Sequence, residues 1–171
     1  DVMLYNEVES AEVGTFLLFA RPVVGLFIGV IADRSRPSLF LFIGFVIALI
    51  GALIFALGLV VDVTYLMFLF SIMIVALGVY AIRSLYFAVM QSGKIPLLFT
   101  GTAVGLISLI GYTPDIFAGP AMGYLLDASP GVKGHQHVFW MLAVFSFVGG
   151  MAAFRYFQLY GKPINDHSKK S

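Results

Sequence analysis

Five stretches of this chain, at about 14–32, 38–60, 64–91, 100–126 and 137–159, stay apolar over lengths that no soluble core requires. A helix rising roughly 1.5 Å per residue needs about 20 such residues to cross about 30 Å of hydrocarbon. The pattern therefore predicts an all-α integral membrane protein with five transmembrane helices in the bilayer. Composition agrees, because hydrophobic residues make up 60% and charged residues only 11% of the 171, against about 45–50% and about 25% in soluble domains. A formal charge of +1 gives no reason to expect nucleic acid as a partner, and the lack of cysteine excludes disulfides and thiolate metal sites.

The connections are short. They comprise Asp33 to Pro37, Val61 to Val63, Gln91 to Phe99 and Asp127 to Gln136, each with a turn former or a charge. Cations collect on one side: Arg34, Arg36, Lys94, Arg155, Lys162, Lys169 and Lys170, accompanied by Asp33 and Asp166. The other side holds Asp1, Glu7, Glu9, Glu12, Asp62 and Asp127 with Lys133. Since Lys and Arg are retained on the cytoplasmic side, this split predicts cytoplasmic loops at 33–37 and near Lys94, and a cytoplasmic C-terminus. The opening DVMLYNEVES has neither an initiator Met nor a basic n-region. Its acidic character outside the membrane leads to the expectation that an earlier helix precedes it and that the chain is a C-terminal portion. Residues 160–171 read as a polar, disordered tail.

Three charges fall inside the spans: Arg21, Arg83 and Asp115. Each costs roughly 2.5–3.5 kcal/mol near a helix centre unless it pairs or faces water. In the fourth span Gly101, Gly105, Ser108, Tyr112, Asp115, Gly119 and Gly123 recur every three or four residues and share one helix face. Small residues let helix backbones approach closely in lipid, so plain helix packing accounts for the glycines. Asp115 follows Pro114, which removes a backbone hydrogen bond and frees a carbonyl, and it reads as either a functional carboxylate or half of a fixed ion pair. In the first span Gly14, Arg21, Gly25 and Gly29 share a face. Depth estimates put Arg21 and Asp115 at similar levels and make them the preferred pair. Arg83 lies nearer the cytoplasmic end between Tyr80 and Tyr86, whose rings could hold a cation, although a snorkelling role is also open.

The run Gly29-Val-Ile-Ala-Asp33-Arg34-Ser35-Arg36, at the end of one span and just before the next, resembles the G-x-x-x-D-R/K signature of the major facilitator superfamily. Arg36 and Pro37 stand where the fuller pattern has a glycine and a basic residue. The resemblance implies helices eight to twelve of a twelve-helix bundle, with the fourth span similar to a glycine-rich eleventh helix. It further implies secondary transport of a small polar solute, anionic or sugar-like, by alternating access, with a proton or sodium ion as coupling ion. The missing N-terminal half would complete the cavity in a bacterial inner membrane. Gly29, Asp33 and Arg34 would form a cytoplasmic gating element, Gly29 allowing close approach. Arg21, Arg83, Asp115, Tyr80 and Tyr112 are the candidate substrate or coupling residues.

Other motifs carry little. Gly93-Lys94 lacks the rest of a phosphate loop, and His135 and His137 read as part of a solvated outer loop rather than a metal site. Ser84 and Ser108 have no histidine base at membrane depth, so neither an enzyme nor a cofactor is expected. The competing expectation is a non-transporting membrane subunit whose glycine faces bind a partner helix.

Overall fold

A computed structural model describes residues 7–33, 36–59, 65–85, 88–89 and 95–160. Among these the chain is all-helical, with α1 (Glu7–Asp33), α2 (Pro37–Ala56), α3 (Tyr65–Leu85), α4 (Thr100–Ala128) and α5 (Val132–Tyr160). A single 3-10 turn, Leu97–Phe99, leads into α4. Among the described residues four helices are long and apolar enough to cross a membrane: α1 over Ala11–Ile31, then α2, α4 and α5. The described apolar part of α3, Leu69–Leu85, is shorter.

The centre of the bundle is α2, which packs on α3 along one side and on α5 along another. It carries no ionisable residue, and it buries Gly44, Ala48, Gly51, Ala52 and Ala56, small side chains spaced by one helical turn. Lipid offers no hydrophobic gain for helix association, so what holds such helices together is close backbone approach and the dispersion contacts it brings. The approach is closest where α2 meets α3. A Cβ added to Gly78 would lie 2.5 Å from the backbone nitrogen of Ala48, and one added to Gly44 would lie 3.3 Å from Ala81 Cβ. Gly51 faces Val75 in the same way. These pairs run in opposite directions along the two helices, which makes α2 and α3 antiparallel. On the α5 side, Phe45 lies over Gly149 and Gly150, Phe42 tilts against Phe154 at 5.3 Å, and Phe55 stacks on Phe139 at 4.5 Å, again in antiparallel register.

The remaining helices are peripheral. α1 packs on α3, and α4 on α5, where Phe117 meets Phe145 at 5.9 Å between ring centroids. α4 has no buried residue, and Ile116 is 76% exposed. Its glycine stripe makes no helix contact among the described residues: a Cβ added at Gly101, Gly105, Gly119 or Gly123 would meet nothing within 4 Å. The close helix contacts rest instead on mixed glycine, alanine and serine faces in α2, α3 and α5.

Element ends follow local chemistry. Pro37 occupies the first turn of α2, where its missing N–H costs nothing. At the other end Gly58, at φ 71, sits in the left-handed region; Gly58 N–H donates to Phe55 O at 3.0 Å and Leu59 N–H to Ile54 O at 3.1 Å. That paired arrangement closes the helix with its last carbonyls satisfied. α5 begins at Val132, five residues before the expected span, because Gly131 turns the chain at φ 82 and Gly134 packs against the backbone of Leu126. His135 and His137 therefore lie on a helix and not in a loop, and His135 Nδ1–H donates to Gly131 O at 2.9 Å. The described part of α3 runs to Leu85, and the expected limit of 91 lies, with residues 86, 87 and 90–94, outside the described residues.

Candidate functional site

Two helices of like direction, α1 and α3, form the wall on which the candidate residues gather. Tyr80 Oη donates to Leu17 O at 2.9 Å, a bond that ties the middle of α1 to α3. One turn further, Ser84 Oγ donates to Tyr80 O at 2.9 Å, and a Cβ added to Gly25 would lie 3.0 Å from that hydroxyl. Glycine at 25 thus keeps α1 close to Ser84. Between these contacts Arg21, Pro22, Gly25, Tyr80, Arg83 and Ser84 line a cleft of about 280 Å³.

Arg83 also reaches out of this cleft. Its Nη2 donates to Asp115 Oδ1 on α4 at 2.5 Å, an ion pair in which the two side chains are 37% and 49% exposed. The pairing corrects the sequence expectation, which joined Asp115 to Arg21. Depth along the membrane normal carries no information on which helices are neighbours, and it is Arg83 of α3 that reaches Asp115. Arg21 stands at the midpoint of the apolar stretch Ala11–Ile31 and has no ion-pair partner among the described residues.

The similarities of the sequence bear on what this arrangement belongs to. Over 75 residues, 44% of this chain, it is 39% identical to inner membrane protein YihN of Escherichia coli (strain K12). Over 73 residues, 43% of the chain, it is 32% identical to inner membrane protein YqcE of the same organism. The chain is a membrane protein related to bacterial inner membrane proteins. The matched segments amount to 18% and 17% of those two relatives, so the chain spans less than a fifth of their length. No family model and no solved structure matches it.

In this membrane protein the candidate residues divide into those the fold assembles and those it leaves apart. Arg21, Tyr80 and Arg83 share the cleft, and Asp115 joins them through Arg83. Tyr112 lies one turn before Asp115 on α4, half exposed, and does not line the cleft. Gly29 lies in α1 with nothing within 4 Å of an added Cβ, so the close approach expected there is not made among the described residues. Asp33 ends α1, whereas its side chain and Arg34 lie outside the described residues, as does Tyr86. Sequence reasoning had weighed Ser84 only as a nucleophile and passed over it. Its place beside Arg83, one turn from Tyr80, was the available signal that it shares their wall.

Chemically the site offers two guanidinium groups, one carboxylate and two hydroxyls. Both hydroxyls spend their protons on backbone carbonyls, at Leu17 and Tyr80, and so present acceptor lone pairs to the cleft. Guanidinium groups donate in a planar fork that suits oxyanions.

Proposed function

We propose that this chain is the C-terminal portion of a major-facilitator-type secondary transporter, contributing helices eight to twelve to a bundle that moves a small polar solute by alternating access. The observation that carries the reading is the gathering of Arg21, Tyr80 and Arg83 on one cleft with Asp115 paired to Arg83, all within apolar helices. Ionisable groups in such helices are costly and cluster on solute and ion pathways. The partial similarity to YihN and YqcE and the GVIADR run at the end of α1 support the same reading. In it, the loop at 33–37 and the C-terminus are cytoplasmic, Gly29, Asp33 and Arg34 belong to a gate, and Asp115 takes part in coupling to a proton or sodium ion. The rest of the transporter supplies the opposite wall of the cavity, and no enzymatic chemistry is involved.

The test is uptake by the full-length protein in proteoliposomes under an imposed proton or sodium gradient, with Arg83→Ala and Asp115→Asn compared against wild type. The reading expects Arg83→Ala to abolish concentrative uptake and Asp115→Asn to remove its dependence on the ion gradient. Uptake and gradient dependence equal to wild type in both variants would overturn it.

A second reading, a membrane subunit that packs a partner helix without transport, is favoured by the open glycine face of α4. It expects full-length protein with no gradient-driven uptake of any solute and a partner that co-purifies until Gly105 is enlarged to leucine.

A further inference from the structure

α1 runs as one helix from Glu7 to Asp33 with Pro22 inside it. Proline has no N–H, so the carbonyl four residues back, that of Leu18, loses its helical donor, and the ring crowds the same turn. Sharp bends in helices concentrate at such points. The two sides of this weak turn are held to α3 by different means. On the C-terminal side the hold is packing: Gly25 lets α1 sit against Ser84, where an added Cβ would lie 3.0 Å from Oγ. On the N-terminal side it is a hydrogen bond, donated by Tyr80 Oη to Leu17 O at 2.9 Å. Elsewhere that arm is loosely held, since residues 11–21 include no buried one and a Cβ added to Gly14 would meet nothing within 4 Å.

We propose that α1 is a hinged helix, in which the arm of residues 7–21 swings about Pro22 and Tyr80 is the latch that holds it against α3. The bond spans the joint, because Leu17 lies on the moving side and Tyr80 on a helix that also grips the fixed side through Ser84. It can open without stranding a polar group. Leu17 O keeps the N–H of Arg21 as its helical partner and gives Tyr80 only its second lone pair. The released phenol stays in a cleft that Arg21 and Arg83 make polar. Ser84 cannot serve in the same way, since its hydroxyl is bonded within α3 to Tyr80 O at 2.9 Å.

Opening has a defined consequence for the cleft. Arg21 is the last residue of the arm, whereas Gly25, Tyr80, Arg83 and Ser84 belong to the fixed part, so the swing turns Arg21 away from the rest of the lining. Farther out the movement is larger. The stretch from Glu12 to Pro22 is roughly 15 Å long, and a bend of about 20° at the proline displaces Glu12 by about 5 Å. The inner half of α1, seated on Ser84, keeps its place.

The experiment uses the full-length protein in mild detergent, with any cysteine elsewhere in the chain replaced and nitroxide labels on introduced cysteines. Double electron–electron resonance reads the distances. Labels at Glu12, Leu57 and Lys133, all exposed and all at the end of the bundle where α1 begins, follow the arm along two directions. A pair at Ile31 and Gln158, exposed at the opposite end, reports on the fixed half. Wild type should give one narrow distance from Glu12 to each partner. Tyr80→Phe keeps the ring and removes the donor; the fraction displaced by about 5 Å should rise about fivefold, the scale of one hydrogen bond, with the distance between Ile31 and Gln158 unchanged. Adding Pro22→Ala returns a donor to Leu18 O and should restore the narrow distances. Tyr156→Phe, which removes a bond of the same kind to Val89 O at 2.8 Å, should leave every α1 distance as in wild type. Unchanged Glu12 distances in Tyr80→Phe would overturn the latch, and a displaced population that survives Pro22→Ala would overturn the hinge. Broadening at both ends of α1, or an equal response to Tyr156→Phe, would show general loosening and overturn both.

Discussion

Replacing Gly78 by alanine adds one methyl group where α3 touches α2. The new Cβ would lie 2.5 Å from Ala48 N, 2.8 Å from Ala48 Cα and 2.9 Å from Ala48 Cβ. Carbon contacts are optimal at about 3.5–4.0 Å, and the obstacle here is backbone, which cannot rotate aside, so the helices must separate locally by roughly 1 Å. A gap of that size forfeits about a quarter to a half of each contact it opens, including Gly44 against Ala81 and Gly51 against Val75. Overpacking of this kind costs about 1–3 kcal/mol. Alanine also favours a helix over glycine by up to about 1 kcal/mol, which would mask part of the loss. Gly105→Ala supplies the reference, since it gains the same propensity in α4 with nothing within 4 Å of its Cβ. The difference between the two variants isolates the contact and should be about 1–3 kcal/mol. Titration of each protein from mild detergent into dodecyl sulfate, followed by far-ultraviolet circular dichroism, measures it. Coincident unfolding midpoints for Gly78→Ala and Gly105→Ala would refute the claim that α2 and α3 are held by backbone proximity.

Two further outcomes follow from single contacts. Gly58→Ala forces an L side chain into the left-handed conformation that closes α2, and the same titration should show a loss of about 1–2 kcal/mol. Tyr80→Phe removes the bond to Leu17 O, which should cost about 1 kcal/mol and speed hydrogen–deuterium exchange in the middle of α1 while leaving α5 unchanged.

Much of the architecture was legible because a bilayer leaves a chain few choices. Apolar runs of sufficient length must be helices, since backbone polar groups have no water to bond, and so the five helices could be read from hydropathy alone. Helix ends were less legible: α5 starts at Val132 because of the left-handed Gly131 and the tight seat of Gly134, neither of which registers as hydropathy. The partner of Asp115 was misread for a different reason. Sequence fixes a residue's level and its face on its own helix, but which helices adjoin is decided by packing, and α1 reaches the site only through α3. The glycines that make the contacts among the described residues were not the conspicuous ones. Those of α4 form the most regular pattern, yet the contacts belong to Gly44, Gly51 and Gly78, where alanine and valine complete the faces and blur the periodicity. Arg21, Tyr80 and Arg83, which line one cleft, stood out as candidates because charge and tyrosine inside apolar spans are conspicuous; Ser84, which lines it too, did not because a hydroxyl is cheap to place anywhere.

The two prolines inside α4, Pro114 and Pro120, divide it unevenly. The ion pair at Asp115, the ring contact at Phe117 and the seat of Gly134 against Leu126 all fall on the C-terminal side of Pro114. Just before it, Thr113 Oγ1 donates back to Leu109 O at 2.6 Å, a bond that tends to bend helices. Were α4, one continuous helix, to bend at Pro114, the stretch from Thr100 to Thr113 would be a lever of roughly 20 Å with its pivot beside the carboxylate. A change of about 10° at that pivot would sweep the Gly101 end through roughly 3–4 Å. Breaking the pair between Arg83 and Asp115 therefore acts at the fulcrum, where a small local event has the greatest mechanical advantage.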